Sequence, residues 1–414
     1  MNENKPTPIK RRTFLDAVSK AGLMICLPAA PLQAAHAEPE SSSLQANQFI
    51  TGPYLQNSSD TGITIMWITS NPAVSWVELI RPGQENQKFF KAQHGLVEAN
   101  NRVNKIRIEG LTPGTAYEYV VYSREILNFK PYEISYGETI TRGPFRFSTA
   151  SPNAKEVSVV VFNDLHDHPE NITELMGKFC KEPDYDLVVF NGDAFNWVDD
   201  EAQIVKDLLA PAVSVFAPGV PFLMVQGNHE VRGKFARQMF DYFDYPEQSC
   251  YYAFTRGPVR FIVMDSGEDK DDDHKEYSGL VSFNAYREEQ ARWLAQEIES
   301  KAFKKAAFRV VLIHIPVFHS GEGHGTLHCR KLFNPLFNKG KIDLSISGHT
   351  HRYGTFDADP QTHNYPIVIG GGPGHTGRGG GPRTLIKMKA SEKSLSLQML
   401  IDDGTVVGSY SLKK

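Results

Sequence analysis

Val157-Ser158-Val159-Val160-Val161-Phe162-Asn163-Asp164-Leu165-His166 is an apolar run that ends in two groups able to bind a metal. β-branched residues at this density predict a strand buried on both faces, as in parallel sheets. Four more stretches repeat the design: Leu187–Phe190 before Gly192-Asp193, Phe222–Val225 before Gly227-Asn228-His229-Glu230, Arg309–Ile313 before His314, and Leu344–Ile346 before Gly348-His349-Thr350-His351. Amphipathic stretches between them predict crossover helices, and spacings of roughly 30 residues between several motifs suit βαβ units. Polar groups just beyond the carboxyl ends of such strands are expected to converge on one edge of the sheet, where open α/β folds place their sites.

The composition of the five motifs points to metal. Carboxylate oxygens and neutral imidazole nitrogens suit divalent or trivalent first-row ions, and seven such groups exceed what one ion normally uses. Two ions sharing one site is the natural reading. A lone Gly-Asp, or a lone His after a strand, is ordinarily turn chemistry or a satisfied buried polar group. Five in series are much harder to obtain by accident.

The order Asp-x-His, Gly-Asp, Gly-Asn-His-Glu, His, Gly-His-x-His resembles the signature of the calcineurin-like metallophosphoesterases, over the chain from about Lys155 to its end. The resemblance implies an α/β fold, a four-layer αββα sandwich. It also implies that Asp164, His166 and His351 hold one metal, that Asn228, His314 and His349 hold the other, and that Asp193 bridges them. Hydrolysis of phosphate esters by a hydroxide bridging the ions follows from it, with monoesters as first choice. His229 would contact the phosphate and protonate the leaving oxygen, and Glu230 would orient a neighbouring imidazole or backbone. Two alternatives stay open: a phosphodiesterase acting on cyclic nucleotides or other diesters, and a non-catalytic binding protein on the same scaffold.

Residues near these motifs are candidate substrate contacts. His319, His324, His328 and Arg330 follow His314 in a glycine-containing loop, and His375 and Arg378 lie in the glycine-rich segment 370–382. That segment lacks the Gly-Lys-Ser/Thr of a phosphate loop. Residues 284–301 predict a helix carrying Trp293, Leu294 and Ile298 on one face, with Asn284 as N-cap. The acidic run 268–273 lacks EF-hand spacing and reads as a solvated loop.

Upstream, residues 49–150 change to short alternating strands punctuated by turn residues, the pattern of an all-β sandwich. Leu111-Thr112-Pro113-Gly114-Thr115-Ala116-Tyr117 resembles the tyrosine corner of fibronectin type III domains, whose hydroxyl bonds back to upstream backbone. Gly52-Pro53-Tyr54-Leu55-Gln56, ahead of a phosphoesterase domain (151–414), is similar to the start of the purple acid phosphatases. Those enzymes carry Gly where this chain has His166, and an iron-binding Tyr where it has Asn196. The departure implies no tyrosinate-to-iron colour and a metal pair drawn from Mn, Zn or Fe.

The first 37 residues read as an export signal: Arg11-Arg12-Thr13-Phe14-Leu15 of the twin-arginine type, an apolar stretch from Ala21 to Leu32, and the small-residue site Ala35-His36-Ala37. Residues 38–48 form a polar linker. The expected location is periplasmic or extracellular, with the twin-arginine export machinery as a transient partner. The whole chain carries a net charge of -4, and removing residues 1–37 leaves 39 basic against 46 acidic side chains. Such a balance offers nothing to nucleic acid or to an anionic membrane. No later stretch is long enough to span a bilayer, so no stable membrane association is expected, and the partner is a small-molecule phosphate ester. Cys180, Cys250 and Cys329 lack the spacing of a disulfide framework, with one pair possible.

Overall fold

The computed structural model describes residues 46–180, 184–374 and 381–414. Residues 1–37, most of the linker, His375 and Arg378 therefore lie outside the described residues. Among the described residues no helix is long and apolar enough to cross a membrane.

Twelve strands of the α/β body fall into two sheets of six. In the first, β6 (Glu156–Phe162), β7 (Leu187–Asn191) and β8 (Phe222–Val225) run parallel in the order β8-β7-β6, and β15 (Leu385–Ser391), β16 (Ser394–Leu400) and β17 (Val406–Lys413) continue it antiparallel. In the second, β10 (Val259–Met264), β11 (Phe308–Ile313), β12 (Leu344–Ser347) and β14 (Ile367–Ile369) are parallel, with antiparallel β9 (Tyr252–Arg256) and β13 (Gly354–Phe356) at the edges.

Side-chain alternation shows how the layers stack. On β10 and β11, Val259, Phe261, Val263, Phe308, Val310 and Leu312 join the large core that also holds Val159, Val161, Ile386 and Met388 of the first sheet. The alternate residues Ile262, Met264, Val311 and Ile313 pack instead against Leu294 of α2 (Phe283–Glu297) and Phe333 and Phe337 of α3 (His324–Gly340). The period of two puts one face of the second sheet on the first sheet and the other on helices. Helix α1 (Glu170–Phe179) buries Ile172, Leu175 and Met176 in the large core. The result is the αββα stack, and the motifs end strands of both sheets, not the edge of one.

Ahead of this body, β1 (Phe49–Gln56), β2 (Gly62–Leu79), β3 (Ala99–Glu109), β4 (Ala116–Lys130) and β5 (Glu133–Ser148) come with no intervening helix. What the sequence suggests as two strands, 62–67 and 76–80, is one long strand. The first part of β2 lies between β1 and β3, and beyond a register break after Ile68 the second part pairs with β4. Ile63, Ile65 and Trp67 from the first part share a core with Val77 and Leu79 from the second and with Tyr119 and Val121 of β4. The Tyr117 hydroxyl accepts from Thr112 N at 2.8 Å. This β region and the body form one unit from Asn47 onward. Tyr54 hydroxyl donates to Tyr242 O at 2.9 Å, Gln56 Nε2 to Phe222 O at 2.9 Å and Tyr119 hydroxyl to Pro218 O at 2.8 Å, and Tyr54, Met66 and Ile68 extend the large core.

Several local expectations change. The helix over 284–301 is α2, ending at Glu297, followed by a separate turn Lys301–Lys305. Asn284 is not its N-cap: that position is Ser282, and Asp272 accepts from Phe283 N at 2.9 Å and Asn284 N at 3.0 Å, supplying the cap from a distance. Cys180, Cys250 and Cys329 are free.

Candidate metal centre

Three of the five motifs leave their strands through left-handed backbone. Asp164, His166, Asp193, His349 and His351 all have positive φ, between 48° and 72°. L-residues adopt that region at a cost, and such strain persists where the surroundings over-determine it, chiefly at functional sites. Five of the seven expected ligands share it. Gly348 is demanded by crowding, since a Cβ there would collide with Asp164 Oδ2.

The strand ends bring all seven groups together. Asp164, His166, Asp193 and His351 offer ligand atoms lying within 4.8 Å of one another, and so do Asp193, His314 and His349. Asn228 Oδ1 is 2.9 Å from His349 Nδ1. Asp193 belongs to both groups. Its Oδ2 lies 2.9 Å from His314 Nε2 and 3.6 Å from His166 Nε2, while Oδ1 accepts from His229 N at 2.9 Å. Asp164 is held by His349 N, at 2.9 and 3.0 Å from its two oxygens, and its Oδ1 lies 3.5 Å from His351 Nε2.

The imidazoles are oriented from behind. His314 Nδ1 donates to Asn191 O at 2.9 Å, which fixes the ring with Nε2 turned into the site. That buried nitrogen makes no aligned hydrogen bond, despite its closeness to Asp193. His166 Nδ1 is held at 3.1 Å by Asn196 Oδ1, and its Nε2 faces His351 Nε2 at 2.8 Å. Two ring nitrogens aimed at one point, that of His166 backed by Asn196 in the manner of metal-bound histidine, fit a cation between them. Two carboxylates, four imidazoles and one amide oxygen form a donor set suited to Mn, Fe or Zn.

Electrostatics agree with that demand for positive charge. Burial raises the Asp193 pKa, but the nearby His314, His229 and His166 outweigh it and hold the carboxyl well below its usual range. Burial likewise opposes a proton on His314, yet Asp193 pushes its pKa up to about 10. His349 moves the other way, down to about 4, through burial and the charge of His314.

His229 sits beside the cluster, with Nε2 3.9 Å from Asp193 Oδ2 and Nδ1 donating to Asn196 O at 2.7 Å. Glu230 is fully buried and binds backbone: Asp193 N at 2.8 Å, Ala194 N at 2.7 Å and Gly227 N at 2.8 Å donate to its carboxylate. Burial and the Asp193 charge push its pKa up to about 7.

Other expected contacts are not part of the cluster. His319 stacks on Phe356 with ring centroids 3.8 Å apart, and His324 Nε2 lies 2.7 Å from Asn284 Oδ1. Arg330 donates to Val317 O at 2.7 Å. The expected solvation of the 268–273 loop also fails at its first residue. Glu268 is buried and binds Arg232 through two bonds of 2.8 and 2.7 Å, while Arg232 Nη1 lies 3.0 Å from His229 Nε2. Sequence reasoning passed over Arg232, although its place three residues beyond His229 was a signal. It also passed over Asn163 and Asn191, which join beneath the motifs at 2.9 Å.

Residues 157–353 match the calcineurin-like phosphoesterase family. A purple acid phosphatase 1 from Ipomoea batatas is 28% identical over 148 residues, covering 35% of this chain and 26% of the relative. Purple acid phosphatase 22 from Arabidopsis thaliana is 24% identical over 292 residues, 63% of each protein. The chain thus spans less than two thirds of either relative. The solved structure of PhoD superposes with a TM-score of 0.59 over 88% of this chain and 89% of that one, at 12% identity, which establishes a shared fold. Strand-end motifs, the two-sheet stack and this match agree, and the segment 157–353 belongs to the calcineurin-like phosphoesterases.

Proposed function

We propose that the chain is a metal-dependent phosphoric ester hydrolase, exported, and acting first on monoesters. The observation that carries the reading is the sharing of Asp193 between two groups of ligand atoms. A bridging carboxylate keeps two cations close, and a bound pair supplies a nucleophile at neutral pH and a clamp for phosphoryl oxygens. Asp164, His166 and His351 would hold one ion, and Asn228, His314 and His349 the other.

The chain's own groups do the rest. His229 would meet the ester and hold a proton at Nε2 for the leaving oxygen, a task suited to imidazole. Its Nδ1, bound to Asn196 O, fixes the ring. Glu230 keeps the turns at Asp193 and Gly227 in place through their N–H groups. The relatives' names support a phosphatase. Export is supported by Arg11-Arg12 and the apolar stretch after them.

The test is elemental analysis of the purified protein, followed by hydrolysis of 4-nitrophenyl phosphate and bis(4-nitrophenyl) phosphate. Two metal equivalents with faster monoester turnover are expected. Two equivalents with no ester hydrolysed would turn the reading towards a binding protein, and faster diester turnover towards a phosphodiesterase.

A further inference from the structure

Arg232 is anchored on one side and presented on the other. Its Nε and Nη2 donate to the two oxygens of Glu268, a side chain 1% exposed, while Arg232 itself is 30% exposed. Burying an ion pair costs desolvation that only good geometry offsets, and here two parallel bonds supply it. The two bonds also fix the guanidinium plane. Its remaining nitrogen, Nη1, faces away from Glu268 and lies 3.0 Å from His229 Nε2. Because His229 Nδ1 donates to Asn196 O, Nε2 of the neutral ring accepts from Nη1, and an ester oxygen that takes Nη1 releases Nε2 to carry the proton assigned to it. That same Nε2 is 3.9 Å from Asp193 Oδ2, the carboxylate common to both ligand groups. The open edge of the guanidinium therefore stands at the lip of the metal centre, one imidazole away from it.

We infer that Arg232 is a substrate-binding residue whose Nη1 edge, beside His229, takes a phosphoryl oxygen of the bound ester, and that Glu268 is the positioning residue that aims it. This deepens the phosphoesterase reading and rests on it. Arginine suits the task because its planar fork engages two partners in fixed directions, which a lysine ammonium does not. Glu268, together with Asp269 at 3.5 Å, offsets the guanidinium charge. The subsite is therefore directional more than electropositive. It recognises a phosphoryl group by the geometry of its oxygens.

The test uses the metal-loaded full chain and its Arg232→Ala, Arg232→Lys and Glu268→Gln variants. Three quantities are read for each: metal content, KM and kcat for 4-nitrophenyl phosphate, and the Kd of inorganic phosphate by calorimetry. Loss of one charge-assisted bond to phosphate weakens binding by roughly 10- to 100-fold. Arg232→Ala should raise KM and the phosphate Kd by that factor with metal content unchanged. Arg232→Lys should recover only part of it, and Glu268→Gln should raise both values less than Arg232→Ala does. Unchanged KM and Kd with full metal would overturn the inference, as would a loss of affinity wholly explained by lost metal. Should the loaded wild type hydrolyse no ester, the phosphoesterase reading fails, and the phosphate Kd still decides whether Arg232 forms an anion subsite.

Discussion

Glu230→Ala should destabilise the protein even with no metal bound, because the carboxylate is a structural acceptor before it is anything else. It is fully buried and satisfies the N–H groups of Asp193, Ala194 and Gly227 at 2.7 to 2.8 Å. A buried donor left unpaired costs about 1–3 kcal/mol, so three sum to roughly 3–9 kcal/mol before relaxation. Two effects reduce the sum. Water can enter the vacated space and pair with some of the donors. The substitution also removes a carboxylate whose ionised form is disfavoured by burial and by Asp193, which together push its pKa up to about 7. The expected net loss is about 3 kcal/mol, a large share of the ~5–15 kcal/mol typical of a folded domain.

The isosteric Glu230→Gln variant separates shape from hydrogen bonding. Its amide oxygen can keep the bonds from Asp193 N and Gly227 N, while its NH₂ group opposes Ala194 N, so roughly 1–3 kcal/mol should be lost. Urea unfolding of the chelator-treated proteins gives these differences, and elemental analysis after dialysis against fixed free metal gives affinity. Loss of a partner that orients ligands typically lowers metal affinity about 10- to 100-fold. If Glu230→Ala stayed within about 1 kcal/mol of the wild type after chelation, three unsatisfied donors could not have been created, and the structural role assigned to Glu230 would be wrong.

Asp193→Ala removes the group common to both ligand sets, so metal content and hydrolysis should fall together; an active, metal-free variant would end the proposed mechanism. His229→Ala should keep its metals and slow esters with poor leaving groups most, by about 10²- to 10⁴-fold, as loss of a general acid does; equal slowing of nitrophenyl and alkyl phosphates would argue against that role. Burial raises the Asp265 pKa to about 6, above the ordinary carboxylate value, so the folded state binds its proton more tightly than the unfolded chain. Stability contributed by this group is therefore present below about pH 4 and lost as pH rises through about 6, a change of about 2–3 kcal/mol. Asp265→Asn should flatten that part of the unfolding profile of the chelated protein, and an unchanged profile would show that the carboxyl is not so perturbed.

What could be read from the chain, and what could not, follows from the range of the forces involved. Strand positions were legible because burial on both faces leaves a nearly continuous apolar run, as in Val159 to Phe162, and the helix over α2 because one face carries Leu294 and Ile298. The candidate ligand cluster was legible because metal chemistry restricts residue types and the turn glycines restrict their neighbours. Partnerships made across the fold left no such local mark. Asp272 caps α2 from eleven residues upstream of Phe283, and a chain reading that looks only at the residue before the helix selects the wrong cap. Glu268 was hidden for a related reason: in an acidic run, periodicity cannot distinguish the one carboxylate that is buried from its solvated neighbours. Burial of a charge needs a partner, and that partner, Arg232, lies 36 residues away on the far side of β9 and β10. An acidic loop and an arginine next to a ligand motif therefore carry more information jointly than either does alone.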